Sequence, residues 1–344
     1  TKKNPFREDF FITRRLNPTP EQPLRGLTIC LDPGHIDGKW ADMEERSFKI
    51  GNGPIVAEGE LNMTVCRHLA SLLEKAGAKV VWTKQNAEPV TPLRPKNFEA
   101  EAVSFLLEQK PKILSSRYQS EILKKLREAS ELLFYRAAEI RARADRVNHE
   151  LKPDLTLCIH HNAAPWKRRR KRLYHCNKLL LFVHGSYMPE ELAYSDHKFH
   201  LVRKALEQST PKEIAIAEAI ARQMQSVWGW PPQNYDDEKT VCRVSDSPYV
   251  WARNLLANRL YDGPTVFVEG PYMNDKGIYP RLIAGDYEGE KMIKEKKYRS
   301  IFREYAEVVA GGVINYYSRS AMGLFYVEPL PKTKPVEEKG LFSP

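Results

Sequence analysis

Leu27-Thr-Ile-Cys-Leu-Asp-Pro-Gly-His35 is the stretch that decides the fold. The run Leu27–Leu31 is short, apolar and closed by a turn-forming Asp-Pro-Gly, the mark of a strand buried on both faces. Leu61, Val65, Leu69 and Leu72 then recur at helical spacing over about 60–77, with Gly77 as a C-terminal stop. Lys79-Val-Val-Trp-Thr83 reads as the next strand. Strand, helix and strand in that order predict an α/β fold. Two more apolar runs repeat the pattern: Leu155-Thr-Leu-Cys-Ile159 ends on His160-His161-Asn162, and Thr265-Val-Phe-Val268 leads directly into Glu269. The expected architecture is a single central twisted sheet, mostly parallel or mixed, flanked by helices and carrying long helical insertions.

Elsewhere the pattern is more varied. Ile122, Leu126, Ala129, Leu133, Ala137, Ile140, Ala144, Val147 and Leu151 predict one long helix over about 118–151, stopped by Pro153. At 1.5 Å per residue it would measure roughly 45–50 Å and project beyond the sheet. Leu179-Leu-Leu-Phe-Val183 reads as a strand, Glu213 to Trp228 as a helix with Ile214, Ala217, Ala221 and Met224 on one face, and about 297–317 as the last helix. Residues 229–262 resemble an insertion or lid. Residues 1–25, rich in proline and charge, read as an N-terminal extension, and 321–344 as a proline-bearing C-terminal tail. No internal repeat is present.

The chain has 344 residues, 42% hydrophobic, and a formal charge of +10, enough to bury a substantial core. No apolar stretch approaches the roughly 20 residues that span a bilayer. Part of the positive charge is one run, Lys167-Arg-Arg-Arg-Lys-Arg172, which is either a solvated loop or a contact for an anionic polymer. No zinc-finger, RNP or helix-turn-helix signature supports nucleic acid as a partner. Five cysteines (30, 66, 158, 176 and 242) show no CxxC spacing. Cys30, Cys66 and Cys158 fall in apolar segments and read as buried thiols, while a Cys176–Cys242 bridge stays open.

Polar side chains at the carboxyl ends of such strands sit where open α/β sheets place their sites. Two histidines and a carboxylate are a ligand set for a catalytic zinc, and a further glutamate can act as a base. Asp32 orients His35 or caps its turn. Glu58 and Glu60 both precede an apolar helical face, and either can be a helix N-terminal carboxylate. His160 and His161 point to opposite faces of their strand, so one of them joins His35. Glu269, directly after Val-Phe-Val, is costly to bury without a partner.

Taken in order, these blocks resemble the zinc-dependent N-acetylmuramoyl-L-alanine amidases of the Amidase_3 type. The resemblance rests on Leu-Asp-Pro-Gly-His35, Glu58-Gly-Glu-Leu-Asn-Met63, the helix from Arg143 to Asn148, Asp154-Leu-Thr-Leu-Cys-Ile-His160-His-Asn162-Ala, and Val268-Glu269-Gly-Pro-Tyr-Met-Asn274. It covers most of 26–317. It implies that His35, Glu58 and His160 hold a Zn2+ ion, selecting Glu58 over Glu60 and His160 over His161, and that Glu269 is the catalytic glutamate. The implied reaction is hydrolysis of the amide between N-acetylmuramic acid and L-Ala of peptidoglycan stem peptides, in wall remodelling or lysis. The implied domain is 26–320, with insertions near 95–140 and 164–260, and the implied location is periplasmic or extracellular. Alternatives are a zinc peptidase or deacylase acting on another amide, and a non-catalytic wall-binding protein.

The chain departs from the family pattern in three places. The stretch between His35 and Glu58 is long and contains Trp40, Glu44, Glu45 and Arg46. Glu269 is followed by Gly-Pro-Tyr, with Asn274 one residue early, and both insertions are enlarged. His161, His184 and Arg281 stay open as donors to a tetrahedral oxyanion. Asn162 marks its motif without an assigned chemical role. The helix over 118–151 and the segment 229–262 are candidates to cover the site until a regulatory protein moves them.

Overall fold

The computed structural model describes residues 18–109, 119–166, 171–236 and 238–321. Residues 1–17, the tail from 322, and four of the six residues of the basic run lie outside these. The chain opens with β1 (Thr28–Pro33), a short hairpin of β2 (Ser47–Lys49) and β3 (Ile55–Ala57), α1 (Glu58–Lys75) and β4 (Lys79–Trp82). A helical hairpin, α2 (Glu99–Gln109) and α3 (Gln119–Leu133), leads through a π turn into α4 (Glu139–Asp145). β5 (Leu155–Asn162), β6 (Leu180–Val183), α5 (Ser195–Leu206) and α6 (Ser209–Trp228) follow, then β7 (Val241–Arg243), β8 (Val250–Arg253), α7 (Leu256–Leu260) and β9 (Thr265–Tyr272). The last elements are α8 (Tyr279–Ile283), the hairpin of β10 (Glu290–Ile293) and β11 (Lys296–Arg299), and α9 (Ile301–Ala321).

Seven strands form one mixed sheet in the order β4-β1-β5-β9-β6-β8-β7. β4, β1, β5 and β9 are mutually parallel; β6 runs antiparallel to β9, β8 parallel to β6, and β7 antiparallel to β8. Alternate residues serve opposite faces, as the two-residue period of a strand requires. Ile29, Leu31, Leu157, Ile159, Leu181, Val266 and Val268 pack with the apolar faces of α1, α6 and α9. Cys30, Cys158, Phe182, Trp251 and Phe267 face the other way, onto Ala144, Val147 and α7. α6 and α9 approach closely because Gly312 lies against Ile220, where an added Cβ would come within 2.4 Å of its Cα. Leu24, within the stretch read as an extension, is fully buried, and its N–H donates to the Ala76 carbonyl.

The long helical pattern holds. Backbone from Gln119 to Leu151 stays right-handed helical through two wide π turns, and Lys152 ends it with φ 45°. Its first half packs on α2 through Ala129, Ala102 and Leu106, away from the sheet, so the helix does project. Two expectations are corrected. Residues 229–262 are not a lid: they contribute β7 and β8 to the main sheet, with Val250, Trp251 and Ala252 at most 1% exposed. The final helix starts at Ile301, because Lys296–Arg299 pair with β10 instead. All five cysteines are free thiols, three of them buried. No helix among the described residues is long and apolar enough to cross a membrane.

Candidate metal centre

β1, β5 and β9 lie side by side and parallel, so their carboxyl ends open on one edge. Pro33 pairs with Ile159, and His160 pairs with Glu269. This register places His35, His160 and Glu269 in a row. Glu58 enters from the side as the first residue of α1, where the helix N-terminus favours a carboxylate. Its N–H donates to the Arg46 carbonyl, which ties the loop before it to the site.

His35 Nε2 lies 3.3 Å from Glu58 Oε2, and His160 Nδ1 lies 3.2 Å from Glu58 Oε1. One donor atom from each of the three residues falls within 4.8 Å of the others, an arrangement that can hold a metal ion. Gly34 makes it possible: a Cβ there would meet His160 ring atoms at 2.3–2.6 Å. Charge is concentrated in the group. Burial opposes a charge on His35, but Glu58 and Glu44 outweigh it and lift the imidazole to about 9. Burial would also raise Glu58, yet His35 and His160 hold it well below the usual carboxylate range.

Glu269 differs. Its side chain makes no hydrogen bond or ion pair among the described residues, and burial raises its pKa against the pull of His160. It lines the same cavity as the three donors. That cavity, of about 730 Å³, is walled by Arg46, Phe48, Trp166, Lys171, Tyr235 and Arg253. Arg46 meets the donors, its Nε donating to His35 Nε2 at 3.3 Å and lying 3.7 Å from Glu58 Oε2.

Beneath the site, Asp32 does not touch the His35 ring. It accepts from Thr83 Oγ1 (2.6 Å), Arg143 (2.9 Å) and the Tyr261 hydroxyl (2.8 Å). Arg143 in turn donates to the carbonyls of Pro33 and His35, each at 2.9 Å, and to Glu139 at 2.8 Å. This clamp holds His35 at φ 65°, a left-handed conformation that an L-residue keeps only when its surroundings impose it. On the opposite face of β5, His161 packs edge-on against Tyr305 and meets Asn62 Oδ1 through Nδ1 at 2.8 Å. Burial pushes it down to about 4, a neutral core imidazole. The Tyr305 hydroxyl lies 2.8 Å from the His160 carbonyl and 2.9 Å from that of Val268, joining the two strand ends that carry His160 and Glu269.

The remaining sequence candidates separate. His184 pairs with Tyr187 and Arg281 with Glu304, and neither lines the cavity. No residue of 119–151 lines it, whereas Tyr235 and Arg253 of 229–262 form part of its wall. Asn162 shapes the strand end: its side chain accepts the Ala163 N–H, its carbonyl accepts that of Met273, and the β5–β9 register shifts beside it. Sequence reasoning did not single out Tyr305 or Arg253, which carry no motif. Glu44 and Arg46 had only the length of their loop as a signal.

No family model matches the sequence, and no curated protein matches it. Solved structures similar to this chain include N-acetylmuramoyl-L-alanine amidases. AmiC2 of Nostoc punctiforme is 16% identical with a TM-score of 0.41, over 85% of this chain and 98% of that one. Ami1 from Mycobacterium abscessus is 14% identical with a TM-score of 0.44, over 85% and 99%. The CwlD amidase from Clostridioides difficile, in complex with the GerS lipoprotein, is 13% identical with a TM-score of 0.42, over 87% and 100%.

Proposed function

We propose that the protein is a zinc-dependent N-acetylmuramoyl-L-alanine amidase, cleaving the amide between N-acetylmuramic acid and L-Ala of peptidoglycan outside the cytoplasmic membrane, in the periplasm or the extracellular wall. The observation that carries the reading is the gathering of His35, Glu58 and His160 beside Glu269 at one mouth of a cavity. The donor set fits zinc. Two imidazoles and a carboxylate are zinc donors, and one donor atom from each lies within 4.8 Å of the others. Held by these residues, the ion supplies Lewis-acid activation of an amide carbonyl and of water.

The rest of the chemistry belongs to the chain. Glu269, its pKa raised by burial, takes the proton of the attacking water and returns it to the departing amine. The His160–Glu269 register keeps base and donor set together. Arg46 is the wall cation nearest the donor atoms and the candidate partner for the developing oxyanion. Phe48, Trp166 and Tyr235 offer flat apolar walls to a sugar ring, and Lys171 and Arg253 offer cations to an acidic peptide.

Digestion of purified muropeptides followed by mass spectrometry tests the reading. An amidase frees the intact stem peptide from the sugar; cleavage within the peptide or loss of an acyl group would assign a peptidase or a deacylase. Glu269→Gln should retain zinc and lose turnover, and full activity in that variant would remove Glu269 from the reaction.

A further inference from the structure

We propose that Glu44 is a positioning residue that sets the tautomer of His35 and so tunes the affinity of the site for its metal. The inference rests on the metal-site reading above. Glu44 is 4% exposed, while its neighbours Glu45 and Arg46 are exposed, so one carboxylate of this acidic turn is buried selectively. Its two oxygens have different tasks. Oε2 accepts the Ile36 N–H at 2.7 Å, and Oε1 lies 3.6 Å from His35 Nδ1. The other ring nitrogen, Nε2, faces Glu58. Glu44 therefore addresses the back of a ligand whose front faces the donor group, and it is not part of that group.

A carboxylate only accepts. Facing Nδ1, it favours the proton there and leaves the Nε2 lone pair, which accepts from Arg46 Nε at 3.3 Å, available to a metal. A buried carboxylate behind a ligand histidine bears on both the ring's orientation and its basicity; at 3.6 Å the contact here is an ion pair, longer than a hydrogen bond. The turn that delivers Glu44 is anchored. Its N–H donates to the Trp40 carbonyl, and Arg46 N–H donates to that of Ala41. Trp40 packs with Ile36 and Phe134. The long stretch between His35 and Glu58 thus returns to the ligand it left.

Glu44→Gln tests the idea because it keeps an acceptor for Ile36 while turning an NH2 group toward Nδ1. That favours the opposite tautomer, with the proton on Nε2. Zinc affinity of the full chain, measured by competition with a chromophoric chelator, should fall by about 10- to 100-fold, with a smaller loss of urea stability in the apo protein, where Glu44 also favours protonated His35. Equal affinity in variant and wild type would overturn the proposal. So would a weaker affinity accompanied by a comparable loss of apo stability, which would make Glu44 only a loop anchor. Nitrogen-15 spectra of the zinc-loaded wild type give a check independent of any variant: the proposal requires ligation of His35 through Nε2 with a proton on Nδ1, and ligation through Nδ1 ends it. A wild-type chain that binds no zinc would remove the proposed function itself, a result distinct from normal binding by both proteins.

Discussion

Gly34→Ala should abolish the zinc binding proposed for the site and leave the fold. An alanine Cβ would stand 2.3, 2.5 and 2.6 Å from Cε1, Nδ1 and Nε2 of His160. Carbon contacts become comfortable near 3.5 Å, so the ring must retreat by roughly 1 Å. Metal–ligand distances tolerate only about 0.2 Å, which removes His160 as a donor. Zinc affinity should therefore drop by more than about 100-fold, beyond what a change behind a ligand costs. Stability should suffer less. Gly34 is not in the left-handed region, so alanine brings no backbone strain, and the His160 side chain is 15% exposed at the cavity wall with room to move. The cost of the collision is about 1–3 kcal/mol. Chelator competition measures the first quantity and urea denaturation of the apo protein the second. Zinc binding within about threefold of wild type would refute the reasoning, because the ring would then have had space that the structure denies it.

Tyr305→Phe removes the hydroxyl between the His160 and Val268 carbonyls, which should cost about 1–3 kcal/mol in urea denaturation and lower kcat by about 10- to 100-fold as Glu269 and the donor set lose alignment; unchanged turnover would detach Tyr305 from the site. Arg143→Met strands the buried carboxylates Asp32 and Glu139 and should cost about 3–5 kcal/mol, a prediction that a loss below about 1 kcal/mol would defeat. The two proteins should also differ in pH dependence. Burial alone would raise Asp32, but Arg143 and its hydrogen bonds hold it below the ordinary value, so wild-type stability from this group is present above about pH 3.9 and lost as pH falls through the lower folded value. Without Arg143 burial should dominate, and the gap between variant and wild type should narrow on acidification. A constant gap from pH 7 to pH 3 would show that the pair is not the cause.

The strand ends were legible because each carries its own local signal. An apolar run followed by Asp-Pro-Gly-His or His-His-Asn announces both a buried strand and its carboxyl end, and parallel neighbours must align those ends. The cavity wall was not legible for a matching reason. Val250-Trp-Ala-Arg253 is too short for its period to be read, and the polar residues around it mimic a loop. Its place in the sheet depends on pairing with Leu181, Phe182 and Val183, far away in sequence. Arg253 reaches the cavity only through that pairing. Gly34 is a third case: the motif was visible, but its cause lies in a ring contributed by β5.

Burial alone does not separate a working carboxylate from a structural one. Glu213 is completely buried, more so than Glu269. Yet Glu213 accepts from Lys204 Nζ and Thr265 N at 3.0 Å and from His184 N at 2.9 Å, so both of its oxygens are satisfied. It holds α5, α6, β9 and the end of β6 together and has nothing left to offer a substrate. Glu269 has no such partner and is pushed toward the neutral form by its surroundings. Its carboxylate lines the cavity and is left to meet whatever the cavity holds. The carboxylate after Val-Phe-Val was marked by its position in the sequence; its unmet hydrogen-bonding capacity, beside three donors that are mutually engaged, is what supports the proposal that it is the base.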